Sequence, residues 1–439
     1  MCRFRWSRQG WAGLVLTLCM SPSFALPRVI DPFPRSADAD TVVPKQKAGA
    51  INAYNRGLKT LSSGDLGAAE AAFREVLSVY PRQSAAMLGL AEVAFKRQQV
   101  DAAGDWIGKA LEADPQDPHA YASSGRFWAL KGQVAKAQGA FRRAADLDPQ
   151  AFRPRMDLAD LLLSTGNPQD ALKYYLEAVS LQPAHAGARY GLGMAHLQLG
   201  RLSEAKSELE RCTQIEPRNP LGWLGLARVL GAQGSHDQAL ATVDKALALQ
   251  PGLVDALVVK ADLLVATKRK SQALVVLEQA VALAPKRTAL LLQLAMLQHS
   301  EGVLDKAETT YRKIIELAPS HPVAYNNLAD LLGVRSDRQA EALRLAQRAV
   351  DLSPKDANFL DTKGWVQRST GDLRGAQKTL EAAHAMSQDD GGILYHLAVV
   401  NVDLGFKQQA RMLLEKALSA KKPLPNPELA RKLLLDLKS

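Results

Sequence analysis

A spacing of 34 residues recurs through most of this chain and leaves it few architectures to adopt. Alanine returns at Ala69, Ala103, Ala137, Ala171, Ala205, Ala239, Ala273 and Ala307. A fixed period of this length comes from stacked copies of one supersecondary unit, each burying its apolar face against its neighbours. Such a chain offers an extended surface rather than an enclosed cleft, so binding is expected before catalysis.

With Ala50 as the first position, eleven units fit between 50 and 424, ten of 34 residues and a ninth, 322–356, with one more. The eighth position is always small: Gly57, Ala91, Gly125, Ala159, Gly193, Ala227, Ala261, Ala295, Ala329, Gly364 and Ala398. The twentieth is always Ala, continuing through Ala342, Ala376 and Ala410. Small residues at both places let two helices approach closely, and a larger one overpacks the pair. Glycine at the fifteenth position in eight units supplies a left-handed cap to the first helix. Prolines from Pro81 to Pro354 stop the second helix of the first nine units. Residues 428–437 read as a final amphipathic helix over the exposed end of the stack.

The N-terminus has the layout of an export signal. Arg3, Arg5 and Arg8 precede an apolar stretch from Trp11 to Met20, then Ser23-Phe24-Ala25. Cleavage is expected after Ala25, and about ten apolar residues are too few to span a bilayer. Two weaker alternatives stay open: lipidation at Cys19, although Leu18 is bulky where a lipobox needs a small residue, and retention of the leader as an uncleaved anchor. The segment 26–49 holds Pro27, Pro32, Pro34 and Pro44 and reads as an extended tether. An exported, periplasmic protein is expected, with outer-membrane association open and no transmembrane span after cleavage.

Composition agrees with helices packed through small side chains, being 47% hydrophobic but only 6% aromatic. Past the leader, 52 basic residues face 45 acidic ones. That mild excess can favour an acidic polysaccharide or an anionic surface; no nucleic-acid partner is expected. Cys212 alone lies beyond the leader and fills an alanine slot, reading as a small buried thiol.

Strings that imitate catalytic motifs dissolve into the register. Gly191-Leu192-Gly193 with Gly200 has no preceding strand, and two of its glycines are the eighth and fifteenth positions. Ser203-Glu204-Ala205-Lys206 begins a second helix around a marker alanine. The eight histidines show no i, i+4 ligand pair. No enzyme, cofactor or metal is expected.

The pattern Trp223-x-x-Leu226-Ala227-x-x-Leu230, then Ala239, Val243, Ala246 and Pro251, resembles the tetratricopeptide repeat, and the likeness covers 50–424. The resemblance implies an all-α, right-handed superhelical solenoid of about eleven helix pairs with a C-terminal capping helix. It also implies a concave groove lined by the first helices. Mapped onto this chain, the middle of the groove takes Tyr190, Met194, Leu221, Leu224, Arg228, Val258 and Asp262. Its C-terminal part takes Asn326, Asn327, Asp330, Asn358, Asp361, Trp365, Tyr395 and His396. An apolar stretch followed by amides suits an extended peptide, its backbone bonded by the amides. No fifth position carries Lys, which argues against a co-chaperone carboxylate clamp.

Tyr325-Asn326-Asn327-Leu328-Ala329-Asp330, Asp361-Thr362-Lys363-Gly364-Trp365 and Tyr395-His396-Leu397-Ala398 give 322–439 a narrower likeness. It resembles exported repeat proteins of exopolysaccharide and PEP-CTERM systems, and the periplasmic repeats of cellulose and alginate export machinery. That resemblance implies a scaffold or adaptor whose partners are envelope synthesis or export subunits. Two alternatives stay open: a peptide-binding assembly factor for pili, secretins or outer-membrane proteins, and a polysaccharide-binding module.

Overall fold

A computed structural model describes residues 44–437. The expected leader with its cleavage point, the Cys19 alternative and the tether up to residue 43 lie outside the described residues. The described residues form twenty-three helices and no strand. They fall into two compact units that meet between Ser235 and His236.

The N-terminal unit holds α1 (Pro44–Ser63), α2 (Leu66–Val79), α3 (Ser84–Lys96), α4 (Val100–Ala113), α5 (Pro118–Leu130) and α6 (Val134–Leu147). It continues with α7 (Phe152–Ser164), α8 (Pro168–Leu181), α9 (Ala186–Gln198), α10 (Leu202–Ile215) and α11 (Pro220–Ala232). Within this unit each odd-numbered helix from α1 to α9 packs on the even-numbered helix that follows it, and that one on the next odd-numbered helix. The helix α1 begins at Pro44, inside the segment expected to be an extended tether. The correction is physical: proline is tolerated at the first helical position, where its missing N–H has no bond to make.

The C-terminal unit starts with α12 (His236–Leu249), α13 (Val254–Ala266), α14 (Lys270–Leu283), α15 (Thr288–Ser300), α16 (Leu304–Leu317) and α17 (Pro322–Gly333). After these come α18 (Gln339–Leu352), α19 (Ala357–Ser369), α20 (Leu373–Met386), α21 (Gly391–Asp403), α22 (Lys407–Leu418) and α23 (Pro427–Asp436). The last of these packs Ala430, Leu433 and Leu434 over Ala398 and Leu414.

The close approach at the eighth position has a specific partner. A Cβ built on Gly125 would stand 2.5 Å from the Phe141 ring, and one on Gly57 2.7 Å from Phe73. On Gly364 it would stand 2.6 Å from Leu380. Each of these larger residues holds the twenty-fourth position of the same unit. The same side chain also reaches the next unit: Phe73 sits 2.7 Å from a Cβ on Gly89, and Tyr175 2.2 Å from one on Gly191. One buried peg therefore joins its own helix pair to the following one.

The caps follow the register. The eight glycines of the fifteenth position all have φ between +69° and +85°. Gln98 and Lys268 hold the same position with φ of 61° and 60°, although they carry side chains. In the ninth unit, with its added residue, an ion network bridges α16 and α18. Arg312 reaches Glu308 at 2.9 Å and Glu341 at 2.6 Å, and Arg338 reaches the same two at 3.1 and 2.6 Å.

Polar side chains stitch the turns between units. Arg189 donates to the Pro183 carbonyl at 2.7 Å, and Trp223, at the same position one unit on, donates to the Pro217 carbonyl at 2.9 Å. His185 and His321 cap α9 and α17, each Nδ1 accepting from the backbone N–H three residues on, at 3.1 and 3.3 Å.

Candidate functional site on the first-helix face

In the C-terminal unit, neighbouring first helices bring Asp361 of α19 against His396 of α21. His396 Nδ1 lies 2.8 Å from Asp361 Oδ1 and 3.0 Å from Oδ2. One turn beyond Asp361, Trp365 stacks on the same imidazole, with ring centroids 4.2 Å apart and planes 24° from parallel. The Arg368 guanidinium lies over Trp365 at 4.8 Å and pairs with Asp403 at 2.5 Å. Tyr395 stands beside His396, its ring centroid 6.0 Å away. Asp361, Trp365, Tyr395 and His396 are thus one half-buried group, held from both α19 and α21. Asn358 is exposed and accepts a long bond from Lys422 at 3.4 Å.

The amides of α17 behave differently from one another. Asn327 bonds the hydroxyl of Tyr311, a buried residue whose pKa burial pushes up to about 12 while this bond draws it back. Asn326 is 9% exposed; its Nδ2 donates to Asn327 Oδ1 at 3.3 Å and its own Oδ1 has no partner. Asp330, one turn further, is solvent-exposed yet has protein on most sides. That enclosure raises its carboxyl pKa, His299 and His396 pull it down, and Asp361 pushes it up.

In the middle stretch expected to line a groove, two residues are packing and five are half-buried. Leu224 is fully buried and Met194 4% exposed, so both hold helices together rather than present surface. Tyr190 is half-buried and lies 3.1 Å from where a Cβ on Gly225 would stand. Leu221 and Arg228 are half-buried, and the Leu221 N–H is taken by Asn219 at 3.0 Å. All of these belong to the N-terminal unit. Asp262 belongs to the C-terminal unit, beside the half-buried Val258 of its own helix, and accepts a bond from Gln293 of the next first helix.

A second polar group, not anticipated from sequence, lies on α3, α5, α7 and α8. Arg126 pairs with Glu92 at 2.9 Å, and Arg153 with Asp157 at 2.9 Å. Tyr175 donates to Asp160 at 2.5 Å. Burial raises Asp160 to about 7; the Tyr175 bond opposes this, Asp157 adds to it and Arg153 opposes it. Glu92 and Arg126 are one period apart, so complementary charge at a separation of 34 was the signal to look for.

These arrangements offer charge, amide and aromatic groups along the first helices. No His, Cys, Asp or Glu side chains among the described residues are grouped in threes that could hold a metal ion. Cys212 is buried, its thiol pushed up to about 11 by burial. No described helix is long and apolar enough to cross a membrane.

The register agrees with known families. A tetratricopeptide-repeat model matches residues 54–118, 130–183, 156–220, 190–254 and 224–288, and a second tetratricopeptide-repeat model matches 264–332. The chain is 27% identical over 196 residues to the TPR repeat-containing protein PA4667 of Pseudomonas aeruginosa, covering 43% of this chain and 33% of that one. It is 24% identical over 414 residues to cellulose synthase operon protein C of Xanthomonas axonopodis pv. citri, covering 89% of this chain and 25% of the relative. The chain thus spans about a third and a quarter of the lengths of these two relatives. Among solved structures, the APC/C hetero-tetramer Cut9–Hcn1 matches at 14% identity with a TM-score of 0.47, covering 89% of this chain and 90% of that one. Helix pairing, register and family model agree, and the chain belongs to the tetratricopeptide-repeat family.

Proposed function

We propose that this chain is an exported, periplasmic and non-catalytic scaffold or adaptor that holds protein subunits of an envelope machine for exopolysaccharide synthesis or secretion. The observation that carries this reading is the first-helix face of the C-terminal unit. There Asp330, Asp361, Trp365 and His396 present carboxylate, aromatic and imidazole chemistry along successive helices, with His396 paired to a carboxylate. The alignment with a cellulose synthase operon protein along 89% of the chain supports the assignment to polysaccharide machinery. The basic leader supports the compartment.

Purification of the tagged full chain from periplasmic extract tests the proposal. Co-purification of a polymer synthase or export subunit is expected. Recovery of a pilin or secretin instead would replace it with the peptide-assembly reading. The polysaccharide-binding alternative is disfavoured by Trp365, whose ring already stacks on His396 and carries Arg368 over it, so no open aromatic platform remains there for a sugar.

A further inference from the structure

On α17 the protein leaves two hydrogen-bond acceptors without donors, one helical turn apart. Asn326 is nine-tenths buried and its Oδ1 bonds nothing. Asp330, on the same helix face, makes no hydrogen bond or ion pair among the described residues. Elsewhere on the first-helix face of this unit the acidic groups are occupied: Asp262 by Gln293, Asp361 by His396 and Asp403 by Arg368. The vacancy is therefore particular to α17.

We infer that Asn326 and Asp330 form the seat for a basic side chain, lysine or arginine, of an extended peptide segment from a protein partner; this rests on the protein-binding reading above. The chemistry selects the cation. A neutral donor would satisfy the hydrogen bonds but leave the Asp330 charge unopposed, whereas an ammonium or guanidinium does both. Asp330 is the solvent-exposed member of the pair and Asn326 Oδ1 the buried one. A divalent ion is a poorer occupant, because it needs more oxygen ligands than two and no third acidic or imidazole ligand is grouped with them. The successive first helices run alongside the seat, which suits a chain lying across them rather than a compact ligand.

The test uses the full chain and end-blocked fluorescent peptides of about ten residues, identical except for a central Lys, Arg, norleucine or Glu, read by anisotropy. The Lys and Arg peptides are expected to bind about tenfold more tightly than the norleucine peptide, the size of one partly desolvated charge pair. Asp330→Asn should erase that difference, and Asp330→Glu should restore part of it. Asp330 is exposed to solvent and its ionisation is opposed by the surrounding protein, so Asp330→Asn should not lower the melting temperature and a loss of binding by it is not a loss of fold. Equal binding of the Lys and norleucine peptides, a preference that survives Asp330→Asn, or no binding by any peptide overturns the seat. Stronger binding of a glucosamine oligomer than of the Lys peptide overturns it too. The scaffold reading is judged separately, by whether the Asp330→Asn chain still recovers its envelope partner from extract.

Discussion

Lys268 and Gln98 hold the left-handed conformation that glycine supplies in eight other units. A side chain there costs roughly 1–2 kcal/mol, partly offset by the extra freedom glycine has when unfolded. Lys268→Gly should therefore stabilise the chain by about 1 kcal/mol, seen as a higher denaturant midpoint with an unchanged slope. The opposite effect is expected at Gly125, where a methyl would press on Phe141 at 2.5 Å. Gly125→Ala should cost about 1–3 kcal/mol by overpacking. Asp160 gives a pH signature. Its folded pKa of about 7 lies above the ordinary carboxylate value, so its contribution is fully favourable below about pH 4 and is lost as pH rises through 7. Asp160→Asn should melt higher than the parent at pH 8, with the gain vanishing near pH 4. Thermal melts across that range decide it; a gain that does not depend on pH would refute the burial argument. These residues differ in how readable they were. Glycine at a fixed offset reports a backbone demand and shows in the sequence. The partners of Asp160 and Asp361 lie on neighbouring helices, and only the folded stack makes them neighbours.

Among the helices, the marker residues could be read because each answers a local constraint: a close crossing, a left-handed cap, or a stop. The lining of the first-helix face could not be read as well. Leu224 and Met194 recur at helical spacing, but spacing alone does not say whether an apolar residue meets the next unit or the solvent. Leu224→Asp thus reports on folding rather than on partner capture. Asp361 and His396 lie 35 residues apart, and Arg368 and Asp403 likewise, one more than the period. A search for complementary groups at the repeat distance and one residue to either side would have found them, where a search at i, i+4 does not. The closing helix α23 offers an element-scale test. Removing residues 425–439 should expose the Ala398 and Leu414 surface. A lower melting temperature and concentration-dependent self-association in size-exclusion chromatography are expected, and a chain that stays monomeric with its melting point unchanged would show that α23 is not a cap.

For the whole molecule, helices pack mainly on their immediate neighbours, so stability is a sum of unit and interface terms rather than one all-or-none core. Urea unfolding should then be broad and depend on the probe. A chain retaining Trp128 as its reporter and one retaining Trp365 should give different midpoints; coincident transitions would mean that the chain unfolds as one cooperative body. The peg at the twenty-fourth position carries a further consequence, for the order of assembly. Phe73 meets Gly57 behind it and Gly89 ahead of it, and both lie within 16 residues in sequence. Contacts this local form early and quickly. A growing or emerging chain can therefore finish each pair before the next arrives, while the unfinished end always shows one bare apolar face. Until α23 docks, that face travels with the chain's leading edge of folding, and the time between emergence of α22 and docking of α23 is when the molecule is most open to misassociation.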